Sequence, residues 1–225
     1  MLLKIVMCVI IGYLCGNISN GYLVGRMHHI DIRNYGSGNA GATNALRALG
    51  KKAGLLVFLG DFLKVYIPAV LIHYVVFAGE DYAALLCEIT GFAGVLGHNY
   101  PFWLHFKGGK GISSTGGAMI ATDWRFTLFI PVFVGIVAAT KYVSVGSMFV
   151  VLLYPAFIAI AKRGCAYYVP MVIVAVLFTV SGVYTHRTNL KRLMNGTERK
   201  INQKLDIQAA SAKENVPDTD VRNKE

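Results

Sequence analysis

Val145–Ala161 reads Val-Gly-Ser-Met-Phe-Val-Val-Leu-Leu-Tyr-Pro-Ala-Phe-Ile-Ala-Ile-Ala, and Ala166–Tyr184 resumes the pattern after the short basic break Lys162-Arg163-Gly164-Cys165. Neither apolar stretch contains a charged residue. Roughly 20 such residues in a helix cross the hydrocarbon core of a bilayer, and a backbone without water must satisfy its own N–H and C=O groups. The two stretches therefore predict membrane helices.

Working outward, Ile5–Val24, Ala53–Ala78, Tyr82–Leu96, the short Gly111–Ala121 and Phe126–Ala139 supply five more apolar segments. Composition agrees: of 225 residues 55% are hydrophobic and only 15% charged, with a mean hydropathy of +0.50. The chain reads as an all-α integral membrane protein, a polytopic bundle of about seven transmembrane helices. Residues 1–204 form one transmembrane domain, and 205–225 read as a polar, disordered cytoplasmic tail. No small-residue cleavage site follows the first apolar run, so it reads as a retained span. Gly12, Gly16, Gly21 and Gly25 lie four apart along it, a spacing suited to close helix approach.

The net charge of +10 is gathered mostly in the loops and in the basic stretch from Arg187 to Lys204 that follows the last apolar segment. Basic loops stay on the cytoplasmic side of a membrane, so nucleic acid is a poor explanation of the charge and no nucleic-acid partner is expected. Placing Arg26–Lys52, His98–Lys110, Lys141 and the tail inside puts the N-terminus outside and the C-terminus in the cytoplasm. Lys162 and Arg163 then fall outside against the rule. Cys8, Cys15, Cys87 and Cys165 occur singly, without paired or metal-ligand spacing, and read as small core residues. Neither a metal nor a cofactor is expected.

Four polar clusters interrupt the apolar pattern, all on the inner face in this topology. Gly36-Ser37-Gly38-Asn39-Ala40-Gly41-Ala42-Thr43-Asn44-Ala45-Leu46-Arg47 carries the glycines of a dinucleotide fingerprint, but no strand–helix repeat surrounds it. Its Ser37, Asn39, Thr43 and Asn44 are short donors and acceptors beside a predicted helix start, and Arg47 adds charge. Gly97-His98-Asn99-Tyr100-Pro101 leads to Lys107-Gly108-Gly109-Lys110-Gly111-Ile112-Ser113-Ser114. Glycine backbone N–H groups and two lysines suit a phosphate, although the loop is not a Walker A motif because Gly111 follows Lys110. His98 reads equally as an interfacial histidine, and Phe102, Trp103 and Phe106 as an interface belt. Ser144 and Ser147 fall on the same face, where a helix start explains them equally well. Thr185-His186-Arg187-Thr188-Asn189 leaves the last span with His186 and Asn189 on one helix face. Within the second span, Asp61 and Lys64 lie one turn apart and read as a structural ion pair.

Ser37–Asn44 with Arg47, Gly-His-x-x-Pro before Phe-Lys-Gly-Gly-Lys-Gly, and His186-Arg187-x-Asn189 before Gly196-Thr197-Glu198 together resemble the bacterial acyl-phosphate:glycerol-3-phosphate acyltransferase family, of the PlsY type. The resemblance covers about residues 5–200. Two departures stand out: Gly16-Asn17-Ile18-Ser19-Asn20 where the family usually has Gly-Ser-Ile-Pro, and Ser113 where a small apolar residue is usual.

The resemblance implies transfer of a fatty acyl group from acyl phosphate to the 1-hydroxyl of glycerol 3-phosphate, giving lysophosphatidic acid and inorganic phosphate at the cytoplasmic side of the bacterial inner membrane. It also implies that a soluble acyl-phosphate-forming enzyme supplies the donor. Phosphate and substrate binding then falls to Arg47, Asn39, Asn44, His98, Lys107, Gly108, Gly109, Lys110, Gly111, Ser144 and Ser147. His186, Asn189, Ser37 and Thr43 form the catalytic set. No Gly-x-Ser-x-Gly elbow is present for an acyl-enzyme, so direct attack on the acyl phosphate is expected. A transporter for an anionic solute would need polar groups along a path through the bilayer, and none is evident. A lipid-binding scaffold would explain the basic loops but not the ordered Ser, Thr, Asn and His groups.

Overall fold

The structure, a computed structural model, describes residues 1–203; the tail expected from residue 205 lies outside the described residues. The described chain is helical: α1 (Leu2–Gly16), α2 (Asn20–Met27), α3 (Ala42–Leu49), α4 (Lys51–Leu71), α5 (Ala83–Asn99), α6 (Ile112–Thr122), α7 (Ile130–Thr140), α8 (Val143–Ala161), α9 (Tyr168–Thr185) and α10 (Arg187–Met194). Among the described residues, four helical stretches are long and apolar enough to cross a membrane: Leu2–Met27, Lys51–Val76, Val143–Ala161 and Tyr168–Thr185. Trp124–Thr140 is a shorter apolar stretch, and α5 and α6 are shorter than a full span.

These helices are apolar on their outer faces as well as their inner ones. Only 33% of the apolar window of Lys51–Val76 is buried, and Leu55, Leu56, Phe58, Leu59, Leu63 and Ile67 are exposed. Such an exposed apolar face suits lipid and would be an aggregation hazard in water.

Helix α5 is the central element, with residues buried along its whole length from Ala83 to Asn99. It packs on α1 closely enough that side chains are excluded. A Cβ on Gly12 would sit 2.2 Å from the Thr90 carbonyl oxygen, and one on Gly16 only 2.0 Å from that of Gly94. From the other side, a Cβ on Gly97 would fall 2.2 Å from the Tyr13 oxygen. The expected close approach thus has α5 as its partner. Helices α4 and α6 pack against α5, while α8 and α9 close the bundle with edge-to-face contacts among Phe92, Phe126, Tyr154 and Phe178.

The first apolar run is one candidate span, Leu2–Met27, as expected, but its helix is interrupted at Asn17–Ser19 between α1 and α2. Asn17 donates Nδ2 to the Tyr13 oxygen at 2.6 Å and accepts the Phe102 N–H at 2.9 Å, while its carbonyl accepts Trp103 Nε1 at 2.9 Å. The break therefore anchors the turn that precedes the glycine-rich loop. Cys165 also departs from expectation: it is exposed in the α8–α9 connection rather than in the core.

Candidate functional site

Three segments remote in sequence meet at one end of the bundle around a cavity of about 310 Å³. The turn before α3 contributes Ser37 and Asn39 and the first turn of α3 Thr43; the start of α6 contributes Lys110, Gly111 and Ser113; the α9–α10 junction contributes His186 and Asn189. Arg47, Ser144 and Ser147 complete the polar wall, and Leu55, Phe58, Phe133 and Val137 form an apolar side. A shallower neighbouring cavity of about 270 Å³ shares Ser37, Asn39 and Lys110 and adds Lys107, Arg187 and Thr188.

His186 caps α9, and its Nδ1 lies 2.8 Å from the Gly182 carbonyl oxygen. A carbonyl only accepts, so Nδ1 carries the hydrogen and Nε2 keeps a lone pair. Burial pushes the imidazole down to about 4 against the Gly182 bond, and the Lys110 charge adds to that push. The ring is thus neutral near pH 7. Asn189 is oriented by two charged neighbours: its Oδ1 accepts a short hydrogen bond from Lys110 Nζ, and its Nδ2 donates to Glu198 at 2.6 Å. Burial, and then the Arg192 charge, push Lys110 down to about 8.

The glycine-rich loop is built otherwise than expected. The N–H groups of Gly108 and Gly109 are taken by the carbonyls of Asn99 and His98 at 3.1 Å each, so they cannot cradle a phosphate. Both glycines serve packing instead: a Cβ on Gly108 would lie 2.0 Å from the His98 oxygen, and one on Gly109 2.0 Å from His98 Nε2. The donors left for an anion are those opening α6, where Thr115 N–H makes the first helical bond, to the Gly111 oxygen at 2.6 Å.

Several other expected ligands are engaged within the protein. Asn44 clips its own loop, accepting the Ser37 N–H at 3.1 Å and donating to the carbonyls of Ile32 and Tyr35 at 3.0 Å. Arg47 donates to the carbonyls of Arg199 at 2.8 Å and Lys200 at 3.2 Å. Ser147 bonds back to the Val143 oxygen at 2.8 Å, and Ser144 donates to Glu198 at 2.9 Å. Lys107 is exposed and lines only the neighbouring cavity.

Asp61 and Lys64 are paired at 2.9 Å, with side chains 1% and 5% exposed. The pair extends further than a simple i,i+3 bridge. Asn20 donates to Asp61 at 3.0 Å, Lys64 lies 2.8 Å from His98 Nδ1, and Ser114 donates to the Asp61 carbonyl at 2.8 Å. His98 therefore belongs to this network, and both it and Asp61 line the cavity.

Sequence reasoning gave Glu198, Arg192 and Arg199 no role. Glu198 accepts from Asn189, from Ser144 and from Arg192 Nε at 3.0 Å, and Arg199 donates to the Gly36 oxygen at 2.5 Å. Burial acts to raise the Glu198 carboxyl, but the hydrogen bonds from Asn189, Arg192 and Ser144 outweigh it and hold it below its ordinary value.

A membrane bundle whose polar wall sets neutral His186 beside clustered cations, next to an apolar slot, offers the groups that an anionic ligand with an apolar part requires. Residues 6–196 match the sequence model of the glycerol-3-phosphate acyltransferase family, and the chain belongs to that family. The glycerol-3-phosphate acyltransferase of Clostridioides difficile is 43% identical over 88% of this chain and 96% of its own length. That of Aquifex aeolicus is 40% identical over 88% of this chain and the whole of its own. The fold matches the crystal structure of PlsY, an integral membrane glycerol 3-phosphate acyltransferase, in its glycerol 3-phosphate form. The TM-score is 0.78 and the identity 38%, over 87% of this chain and 94% of that one. The lysophosphatidic acid form of PlsY matches with a TM-score of 0.76 and 36% identity, over 88% of this chain and 96% of that one.

Proposed function

We propose that this chain transfers a fatty acyl group from acyl phosphate to the 1-hydroxyl of glycerol 3-phosphate, releasing lysophosphatidic acid and inorganic phosphate. The observation that carries the reading is the single cavity on which His186, Lys110 and Ser37 converge from three separate segments, with an apolar side at Phe58 and Phe133. A phosphate needs the cations and helix N–H groups; an acyl chain needs the apolar side.

In this reading the 1-hydroxyl donates a hydrogen bond to His186 Nε2, with Asn189, Ser37 and Thr43 holding neighbouring oxygens, and attacks the acyl carbonyl carbon. The new C–O ester bond forms, and the bond from that carbon to the phosphate oxygen breaks. A histidine held near 4 is a weak base, so it aligns the hydroxyl, and the proton ends on the departing phosphate. Lys110 and the α6 N-terminus neutralise the leaving group, and positioning supplies the remainder. No acyl-enzyme is required.

The cavity end, with its basic loops, is placed on the cytoplasmic side of the bacterial inner membrane, with about seven spans and the N-terminus outside. The charge of the connecting loops supports that orientation. A soluble acyl-phosphate-forming enzyme would deliver the donor at this face. The donor assignment is tested by offering purified protein palmitoyl phosphate or palmitoyl-CoA with glycerol 3-phosphate. Product from the phosphate alone is expected; product from the thioester alone would overturn the assignment.

A further inference from the structure

The start of α6 carries two adjacent serines with different surroundings. Ser114 is fully buried, and its hydroxyl is fixed on the Asp61 carbonyl at 2.8 Å, tying α6 to α4. Ser113 is only partly buried and lines the main cavity beside Lys110, Gly111 and Ile112. Among the described residues its hydroxyl makes no hydrogen bond. It also sits in the first turn of an 11-residue helix, where backbone N–H groups lack intrahelical acceptors and favour an anion.

Three of the polar side chains nearby are already committed within the protein. Arg47 holds the Arg199 and Lys200 carbonyls, and Ser144 holds Glu198. Lys110 is already directed at Asn189. A phosphate drawn to Lys110 and the α6 N-terminus would therefore meet the Ser113 hydroxyl on its own helix turn, while the Ser37 and Thr43 hydroxyls line the same cavity from the α3 side.

We propose that Ser113 is a substrate-phosphate ligand, donating its Oγ hydrogen to a phosphate oxygen bound at the α6 N-terminus. This rests on the acyltransferase reading of the cavity. Methyl-bearing alanine at 113 would keep the helix and the shape of the wall but remove the donor. The position thereby sets how tightly this chain holds phosphate substrates.

The test compares wild type, Ser113→Ala and Ser113→Thr in steady-state kinetics, varying glycerol 3-phosphate and palmitoyl phosphate separately. Binding of inorganic phosphate alone is measured in parallel by calorimetry. A neutral hydrogen bond predicts a KM for one substrate about 3- to 10-fold higher in Ser113→Ala, with kcat within about 2-fold and Ser113→Thr near wild type. The substrate whose KM moves identifies which phosphate is held. A structural role would lower folded yield or kcat without this selective change. Unchanged KM values and unchanged phosphate affinity in Ser113→Ala would overturn the proposal. If wild type proved inactive yet bound phosphate in a Ser113-dependent way, the acyltransferase reading would fall and the phosphate site would stand.

Discussion

The Glu198 carboxylate accepts the Asn189 side-chain amide at 2.6 Å from a segment that has already left α10. That bond decides which way Asn189 points: with Nδ2 on Glu198, Oδ1 must face Lys110. Glu198 thus orients a site residue that lies nine positions before it, and it gathers Ser144 and Arg192 at the same time.

Glu198→Gln should break this arrangement, because an amide offers one acceptor oxygen where the carboxylate offers two. Loss of a charge-assisted bond is worth about 1.5–3 kcal/mol, so kcat/KM should fall roughly 10- to 150-fold. The pH dependence has a definite sign. Because the folded carboxyl is held below its ordinary value, its contribution is full above about 4.5 and is lost as pH falls through the lower folded value. Backbone hydrogen exchange at Arg199 and Lys200, corrected for its intrinsic pH dependence, should lose protection as the pH falls below about 4.5; protection that stays constant until global unfolding would contradict the assignment.

Lys110 should control the alkaline side of phosphate binding. With its pKa pushed down to about 8 in the unliganded site, it is charged below that value and neutral above it. An anion favours the charged form, so affinity should decline as pH rises through 8 and beyond. Lys110→Arg should flatten this decline to at least pH 10, while Lys110→Ala should weaken binding by about 1.5–3 kcal/mol at pH 7. Calorimetric titrations with inorganic phosphate, the leaving group, from pH 6.5 to 10 would read both effects.

His186 should be neutral, with its hydrogen on Nδ1, throughout the range in which an ordinary histidine titrates. Nitrogen NMR of labelled histidine at pH 6 should show this single tautomer, and a doubly protonated ring at that pH would refute it. His186→Ala should lower kcat by roughly 10- to 100-fold, the scale of lost positioning, while leaving the fold intact.

Two substitutions outside the proposed catalytic set should act on stability. Asp61→Asn leaves the Lys64 ammonium buried without its counter-charge, a change costing about 3–5 kcal/mol. Gly16→Ala forces a methyl against the Gly94 backbone, which neither helix can easily yield, at about 1–3 kcal/mol. Both should lower the thermal midpoint and folded yield in detergent. Unaltered midpoints would show that α1 and α4 have more freedom than their packing implies.

Much of the helical bundle is legible in the sequence because lipid imposes long apolar runs, and α4, α8 and α9 follow those runs closely. The break at Asn17–Ser19 is not, since it depends on bonds to Phe102 and Trp103 made only when α1 meets the distant turn. The site divides in the same way. His186, Lys110, Ser37 and Asn189 stand out by residue type in otherwise apolar surroundings, and the fold brings them to one cavity. Gly108 and Gly109 look like a phosphate cradle until their N–H groups are followed to His98 and Asn99. Asn44 and Arg47 likewise reveal their internal partners only in three dimensions. For Glu198, the one signal available was its place in the Gly-Thr-Glu stretch that the chain shares with its family, which carries no hint of Ser144 as a partner.

The central claim is that one cavity joins two phosphate-bearing substrates and couples breakage of one acyl bond to formation of another. The most direct measurement follows inorganic phosphate and lysophosphatidic acid together, with purified protein, palmitoyl phosphate and glycerol 3-phosphate in a lipidic phase. Equal, enzyme-dependent appearance of both products is predicted, with neither formed by Lys110→Ala at a comparable rate. Phosphate release without lysophosphatidic acid would make the protein a hydrolase and contradict the claim.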